Sequence, residues 1–376
     1  MEKSSWQSNR LLRAAALCAA LLCAAAGVSA QTGGQPGAYL RSPADAAAAA
    51  MGGAQSASPE YFSTWWNPAQ LSLIDKSLFT FGAGLYSMGR TEAFTSLEFK
   101  LPPRVGIGLA ALYRGDPFID NLYNASEEKL NAASFTTLTV KAALSYLITR
   151  RLSAGLSIGF FYQRLPTSYI KTSLTYSDAT AVGGFSLAVQ YRLTDSLMLA
   201  VIVRDVNPLQ LLTGAPASIA MEWQVSSSLE QDFGGDASGF GSPSVITDMV
   251  MPVFVLASAY HGRLQGKPLL WTCDVNGYIV DGTFTRLDRM EAQLFTGFEW
   301  QRWNTFCLRA GLGDLLVNRD IVSDGGFYWR NFTFKIAAGF GWDLAALRKG
   351  LVLNYAVSTD KVWAGIDQKL DIVYKF

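Results

Sequence analysis

"AGIDQKLDIVYKF", residues 364–376, closes the chain. Ile366, Gln368, Leu370, Ile372, Tyr374 and Phe376 fall on one side of a period-two ladder, and Asp367, Lys369, Asp371 and Lys375 fall on the other. In a helix the four charges would spread around the circumference. In a strand they line one face, and the opposite face is left almost wholly apolar. Such a strand asks for two environments, one apolar and one polar.

The pattern recurs along the chain. In 332–343 the faces are Phe332, Phe334, Ile336, Ala338, Phe340, Trp342 and Thr333, Lys335, Ala337, Gly339, Gly341, Asp343. In 104–115 Val105, Ile107, Leu109, Ala111 and Tyr113 oppose Gly106, Gly108, Ala110 and Arg114. Fourteen segments read this way: 78–87, 92–101, 104–115, 135–148, 152–165, 180–193, 196–206, 249–262, 268–281, 290–303, 305–315, 332–343, 350–359 and 364–376. The connections alternate in length. Long ones cover 116–134, 166–179, 207–248 and 316–331, while 102–103, 149–151, 194–195 and 304 are short. Short periplasmic turns, long external loops and an even strand number are the habit of outer-membrane barrels.

Composition agrees. Charged residues make up 16% of the chain and hydrophobic ones 50%, against about 25% charged in ordinary soluble domains. A secreted soluble β-sandwich would also alternate, but it would carry more charge outside. No stretch beyond the leader approaches the roughly 20 apolar residues of a spanning helix. A closed barrel is then the way for such a chain to enter a membrane, because it satisfies every backbone hydrogen bond between strands. The expectation is an all-β fold: a 14-stranded antiparallel transmembrane barrel of the bacterial outer membrane.

The chain begins as an exported one. Lys3, Arg10 and Arg13 precede an apolar run over 11–26, and Val28-Ser29-Ala30 forms a small-x-small site before Gln31. This reads as a cleaved signal peptide over 1–30, too short in its apolar part for an anchor. Its removal takes Glu2 and three basic residues, leaving 28 Lys+Arg and 29 Asp+Glu, a net charge of −1. No basic excess points to nucleic acid. Cys273 and Cys307 remain, on opposite faces of strands separated by a third, so no disulfide is expected.

Residues 31–75 do not alternate. "ADAAAAAMGGAQSA" is small and flexible, and "SPEYFSTWWNPAQLSLI" is aromatic and turn-forming. Pro68 holds Asn67 extended and cannot itself donate to a sheet. This segment reads as a luminal plug ahead of a barrel over 76–376, with Trp65, Trp66 and Leu71 as anchors.

"MGGAQSASPEYFSTWWNPAQLSLI", residues 51–74, resembles the N-terminal hatch of the outer-membrane long-chain fatty-acid transporters. There an alanine- and glycine-rich run and an aromatic pair precede Asn-Pro-Ala, here Asn67, Pro68 and Ala69. One branch of that family transports fatty acids and other hydrophobic compounds. Another looks similar at hatch and C-terminus and serves type 9 protein secretion as a carrier of substrate proteins. The close "LNYAVSTDKVWAGIDQKLDIVYKF" looks as much like that branch and like spirochaetal relatives.

The resemblance implies gating by Trp65, Trp66, Asn67, Pro68, Ala69 and Leu71. It also implies a route: a hydrophobic ligand lands between external loops, passes beside the hatch and leaves sideways through the wall. Groove candidates are Leu209, Leu211, Leu212, Met221 and Trp223, with Phe118 and Leu122 from the first long loop; equally, these residues pack the loops together. Gly106 and Gly108 either weaken the third strand for a lateral exit or make room for luminal neighbours. Expected partners are hydrophobic small molecules such as fatty acids, the surrounding outer-membrane lipid, and the barrel-assembly machinery through the C-terminal strand ending at Phe376. A secretion-associated barrel that docks other proteins is the alternative. A general porin fits less well, since the plug would obstruct its pore.

Catalytic chemistry is not expected. The single histidine, His261, falls at a short turn with Gly262 and Arg263, without a nucleophile or carboxylate beside it in sequence. No grouping of residues suggests a metal or a cofactor. Luminal Glu98, Lys100, Lys141, Arg192, Glu299, Arg309 and Lys335 read either as a selectivity lining or as charges that pair with one another.

Overall fold

The computed structural model describes residues 40, 42–58, 62–119, 133–170, 173–208, 212, 218–225, 244–250, 252–279, 290–317, 322–323, 326–327, 334–359 and 365–376. Strands β1 (Leu78–Leu85), β2 (Thr91–Leu101), β3 (Val105–Ile119), β4 (Ala133–Leu147) and β5 (Leu152–Ile170) open the wall. They are followed by β6 (Ser173–Val182), β7 (Phe185–Arg192) and β8 (Leu197–Val206). Between β8 and β11 (Val253–Leu264) stands a hairpin, β9 (Ile219–Val225) and β10 (Ser244–Val250). The wall continues through β12 (Lys267–Ile279), β13 (Met290–Trp303) and β14 (Phe306–Val317). A two-residue ladder, β15 (Val322–Ser323) and β16 (Gly326–Phe327), lies in the following loop. The wall ends with β17 (Lys335–Asp343), β18 (Leu351–Thr359) and β19 (Ile366–Lys375).

Each wall strand pairs antiparallel with the next, and β19 returns to β1 in unbroken register from Leu78↔Lys375 to Leu85↔Gln368. β6 and β7 share one wall position, because both pair with β5 on the same side. The result is a closed antiparallel barrel of fourteen strands. No described helix is long and apolar enough to cross a membrane.

The wall is inverted relative to a soluble protein. Phe81, Leu109, Leu144, Leu187, Trp342, Ile366 and Leu370 are exposed on its outside. Glu98, Thr139, Lys141, Asp367, Lys369 and Asp371 are buried on its inside. The charges of 364–376 thus face the lumen, as their spacing predicts, and the apolar row faces outward, where lipid takes the place of a core.

Two features depart from the sequence reading. The segment expected as one strand over 180–193 is broken at Gly183–Gly184, and its outer part runs on to Ser173. The stretch read as loop over 207–248 contains the hairpin β9–β10.

Residues 42–58 and 62–75 fill the lumen. They form a helix over Ala46–Ala50, a turn of helix over Ser63–Trp66 and a 3-10 turn over Pro68–Ser72, all buried.

Candidate functional site

Asn67, Pro68 and Ala69 each have a physical task. Asn67 is extended (φ −155°), as the residue before a proline must be, and its Oδ1 caps the 3-10 turn by accepting Ala69 N–H at 3.0 Å. Pro68 takes the first helical position, where its missing N–H costs nothing. The Asn67 amide donates to Ser56 O at 2.7 Å and to Gln190 Oε1 at 2.8 Å, so the tripeptide ties the plug to itself and to β7. The Ala69 backbone lies directly on Gly155, where any Cβ would overlap it. Leu71 lies on Gly106 in the same way, and Thr64 lies on Gly108. Both glycines face the plug, and β3 pairs without a break on both sides through 105–115. They make room for a luminal neighbour.

The two tryptophans sit in cationic cradles. Trp66 Nε1 donates to Asp45 Oδ1 at 2.6 Å, and the Arg204 guanidinium lies 5.4 Å from its ring centroid. Arg204 Nη2 also donates to Trp66 O at 2.6 Å and to Ser56 Oγ at 2.8 Å. Lys141 Nζ lies 4.9 Å from the Trp65 ring centroid and bonds Asp205 Oδ1 at 2.9 Å. A buried cation over an aromatic face is stabilised by the ring quadrupole. Asp45 caps the Ala46–Ala50 helix by accepting Ala48 N–H at 2.9 Å. Burial raises its carboxyl above the ordinary range, and the bonds from Trp66 and Ala48 oppose that rise.

The wall also grips plug backbone. Asp371 accepts Ala46 N–H at 2.7 Å, and Asp274 accepts Ser56 and Gln55 N–H at 2.8 and 3.1 Å. Glu98 accepts Thr64 N–H at 2.7 Å, and Lys369 bonds Pro43 O and, at 2.7 Å, Glu92. Gly297, Gly311 and Gly313 admit the Met51–Gly52 backbone with no space left for a side chain. Glu299 and Arg309 pair with each other at 2.7 Å, and Lys335 lies 3.7–3.8 Å from Asp314 and Asp367. Lys100 and Arg192 are exposed at strand ends. At the short-turn end a polar cavity of about 230 Å³ is lined by Glu299, Cys307, Arg309, Asp343 and Lys375 among others.

On the long-loop side of the plug the part of the lumen along β2–β6 is apolar. Phe62, Trp65, Trp66, Phe94, Leu112, Phe161, Ala179 and Ala181 form one buried cluster with Ile219, Met221 and Val250 of the hairpin. Phe62 stacks on Trp65 at 5.7 Å and meets Phe94 edge-on at 5.1 Å. Of the expected groove, Met221 joins this cluster, while Leu212 is 85% exposed and does not. Leu209, Leu211 and Leu122 lie outside the described residues, as do the side chains of Phe118 in β3 and Trp223 in β9. Sequence reasoning missed Asp45, Asp205, Gly155 and Phe161.

No family model matches the sequence, and no curated protein does. Solved structures match over nearly the whole barrel. The Ralstonia pickettii toluene transporter TbuX aligns over 90% of this chain and 99% of its own, at 12% identity and TM-score 0.55. A Pseudomonas aeruginosa FadL homologue aligns over 88% and 98%, at 12% identity and TM-score 0.57. The Pseudomonas putida toluene transporter TodX aligns over 88% and 97%, at 14% identity and TM-score 0.51. The chain shares their fold. At such identities the likeness concerns architecture, a fourteen-stranded outer-membrane barrel, and says nothing of cargo.

Proposed function

We propose that this barrel takes up long-chain fatty acids or similar hydrophobic compounds by passive diffusion past the luminal plug, with sideways release and no chemical conversion. The observation that carries the reading is the apolar cluster on the long-loop side of the plug. A water-filled pore lined by polar groups offers an apolar solute nothing, whereas each CH₂ group buried there gains about 0.8 kcal/mol. Next to that cluster stands a polar layer: Asn67 with Gln190, Arg204 with Trp66 O and Asp274 with Ser56 N–H tie plug to wall, and Gln70 ties the plug to itself at Ser56 O. An apolar solute gains nothing by crossing that layer, so exit into lipid is the favoured direction. Small aromatic hydrocarbons belong to the same cargo class, in keeping with what the toluene transporters of this fold are said to carry. Export through a cleaved leader over 1–30, and insertion through the C-terminal strand ending at Phe376, complete the reading.

The test is saturable binding of a radiolabelled long-chain fatty acid to the refolded, full-length barrel, beside a Trp66→Ala, Asn67→Ala variant. Binding in the parent that is altered in the variant supports uptake past the plug. Absence of saturable binding in a parent with intact β-sheet circular dichroism overturns the reading in favour of a secretion-associated barrel that docks other proteins.

A further inference from the structure

Among the described residues the wall ladder is interrupted where β6 gives way to β7. Beyond Val182 the chain bends at Gly183 (φ +121°) and Gly184, a conformation only glycine adopts without strain. Two bonds tie this bend to β5: Gly183 N–H to Gly159 O at 3.0 Å, and Gly159 N–H to Gly184 O at 3.1 Å. On the short-turn side β7 pairs with both β5 and β8. On the long-loop side β8 has ended at Val206, and among the described residues β6 is hydrogen bonded to β5 alone. The hairpin strand β9 lies alongside β6 without a ladder between them. Side chains close this seam: Ala179 and Ala181 from β6, Ile219 and Met221 from β9, and Phe161 behind them. Val182, at its outer edge, is 70% exposed on the lipid side.

An ion pair crosses the lumen at the same level. Lys141 of β4 is register partner to Gly159, the residue bonded to the glycine bend. From there it reaches past β5 and β7 to Asp205 of β8 at 2.9 Å. Asp205 can face inward beside Arg204 because β8 bulges there: one residue of β7 stands opposite two of β8. Asp205 stands at φ +57°, a left-handed conformation that an aspartate tolerates, and Phe62, under the same cluster, stands at φ +57°, an uncommon and strained one for a phenylalanine. Lys141 also lies on Trp65, and neighbouring Arg204 lies on Trp66. Movement of the plug tryptophans therefore disturbs both residues of the bulge.

We propose that the β6–β9 seam is the sideways opening of this barrel and that the Lys141–Asp205 pair is the latch that keeps it shut until the plug tryptophans move. This rests on the uptake reading above, and it assigns the exit to a place other than Gly106 and Gly108. A latch suits the site energetically. A buried pair is strong only while both partners are present, and losing one leaves an uncompensated charge.

The test uses the full-length protein in lipid vesicles with Cys18→Ser, Cys23→Ser, Cys273→Ala and Cys307→Ser as background. Ala181→Cys reports the seam, and Ala110→Cys reports a buried position on strand β3, which is paired on both sides there. Labelling by a lipid-soluble maleimide is expected to be slow at both. Asp205→Asn, which tolerates the left-handed conformation, is expected to speed labelling at 181 about tenfold or more and to leave 110 unchanged. Lys141→Met should do the same. Equal rates at 181 with and without the latch overturn the proposal. In a second arm Ala181→Cys and Ile219→Cys are joined by a short bis-maleimide. Fatty-acid uptake is expected to fall about tenfold while binding persists, as for a blocked gating step. Normal uptake through the cross-linked barrel overturns the seam and leaves the uptake reading standing. A parent that neither binds nor transports fatty acid overturns the uptake reading, and the seam as its exit, while the labelling arm still decides whether the seam opens.

Discussion

The two sides of the lumen hold the plug in different ways. Along β12–β14 and β17–β19, carboxylates bond the plug's backbone amides, and glycines let backbone rest on backbone. That wall is continuous. Around β4–β8 ring faces add to the grip: Lys141 and Arg204 lie on the rings of Trp65 and Trp66, close to the β6–β9 seam where no ladder runs among the described residues, while plug backbone meets the same wall at Gly155 and at Arg204. Backbone contacts jammed against glycine have a single geometry. A cation over an aromatic face tolerates sliding, since the quadrupole is attractive over a broad range of positions. The difference sets the Trp65 and Trp66 rings, able to slide on their cations, apart from the plug backbone seated on glycine at Gly106, Gly155, Gly297 and Gly311.

The strongest way to break this comparison is to fill a backbone seat. A Cβ on Gly311 would overlap the Met51 carbonyl carbon, so Gly311→Leu should expel the plug at a cost of about 3 kcal/mol or more. The plug should become open to proteolysis, and ion conductance of the barrel in planar bilayers should rise. Unchanged conductance and protection would mean that the plug is not seated there. Asp274→Ala comes next. It removes the acceptor of two plug amides and should cost about 1–3 kcal/mol, exposing residues 51–58 to protease while labelling at Ala181→Cys stays slow. If Asp274→Ala opened the seam as readily as Asp205→Asn, the distinction between seated backbone and sliding rings would fail.

Trp66→Phe should cost less, about 1–2 kcal/mol, by removing the indole donor from Asp45. This effect has a pH sign. Burial raises the Asp45 carboxyl, so the folded plug holds its proton to higher pH than the unfolded chain does, and the Asp45 contribution to stability falls as pH rises through that window. Losing the indole raises the carboxyl further. The deficit of Trp66→Phe relative to the parent in urea unfolding should therefore shrink as pH is lowered. A deficit independent of pH would show that Asp45 does not titrate with the plug.

The wall was legible because a period of two reports which side each residue faces, and the lipid and luminal sides of a barrel differ everywhere. The end of "LAVIVRDV", residues 199–206, held an unread signal. Two adjacent charges in an alternating strand can both be luminal only through a bulge, and Arg204–Asp205 is that bulge. Gly183–Gly184 was hidden for a different reason: inside a barrel a glycine reads as a small luminal residue, the role that Gly106 and Gly155 do play. The partners of the plug could not be read at all. Asp371 is 325 residues from the amide it accepts, and Asp274 is 218 and 219 residues from its two. A face pattern places a charge in the lumen without choosing what it meets there.

The smallest effect tests the faces of the C-terminal strand itself. Ile372 points outward and is 43% exposed, while its neighbour Val373 is fully buried against Ala47, Ile74, Leu78 and Val352. Lipid chains are fluid and fill the space of a lost methyl group, so Ile372→Val should change stability by no more than about 0.5 kcal/mol, as at a surface site. Val373→Ala leaves a void between wall and plug, whose glycine-seated backbone cannot collapse into it, and should cost about 1 kcal/mol or more. Unfolding of both variants by urea in lipid vesicles compares them directly. Equal costs would mean that the outer row of "IDQKLDIVYKF" packs against something as rigid as the plug, and the inverted barrel would then be the wrong account of where its apolar face lies.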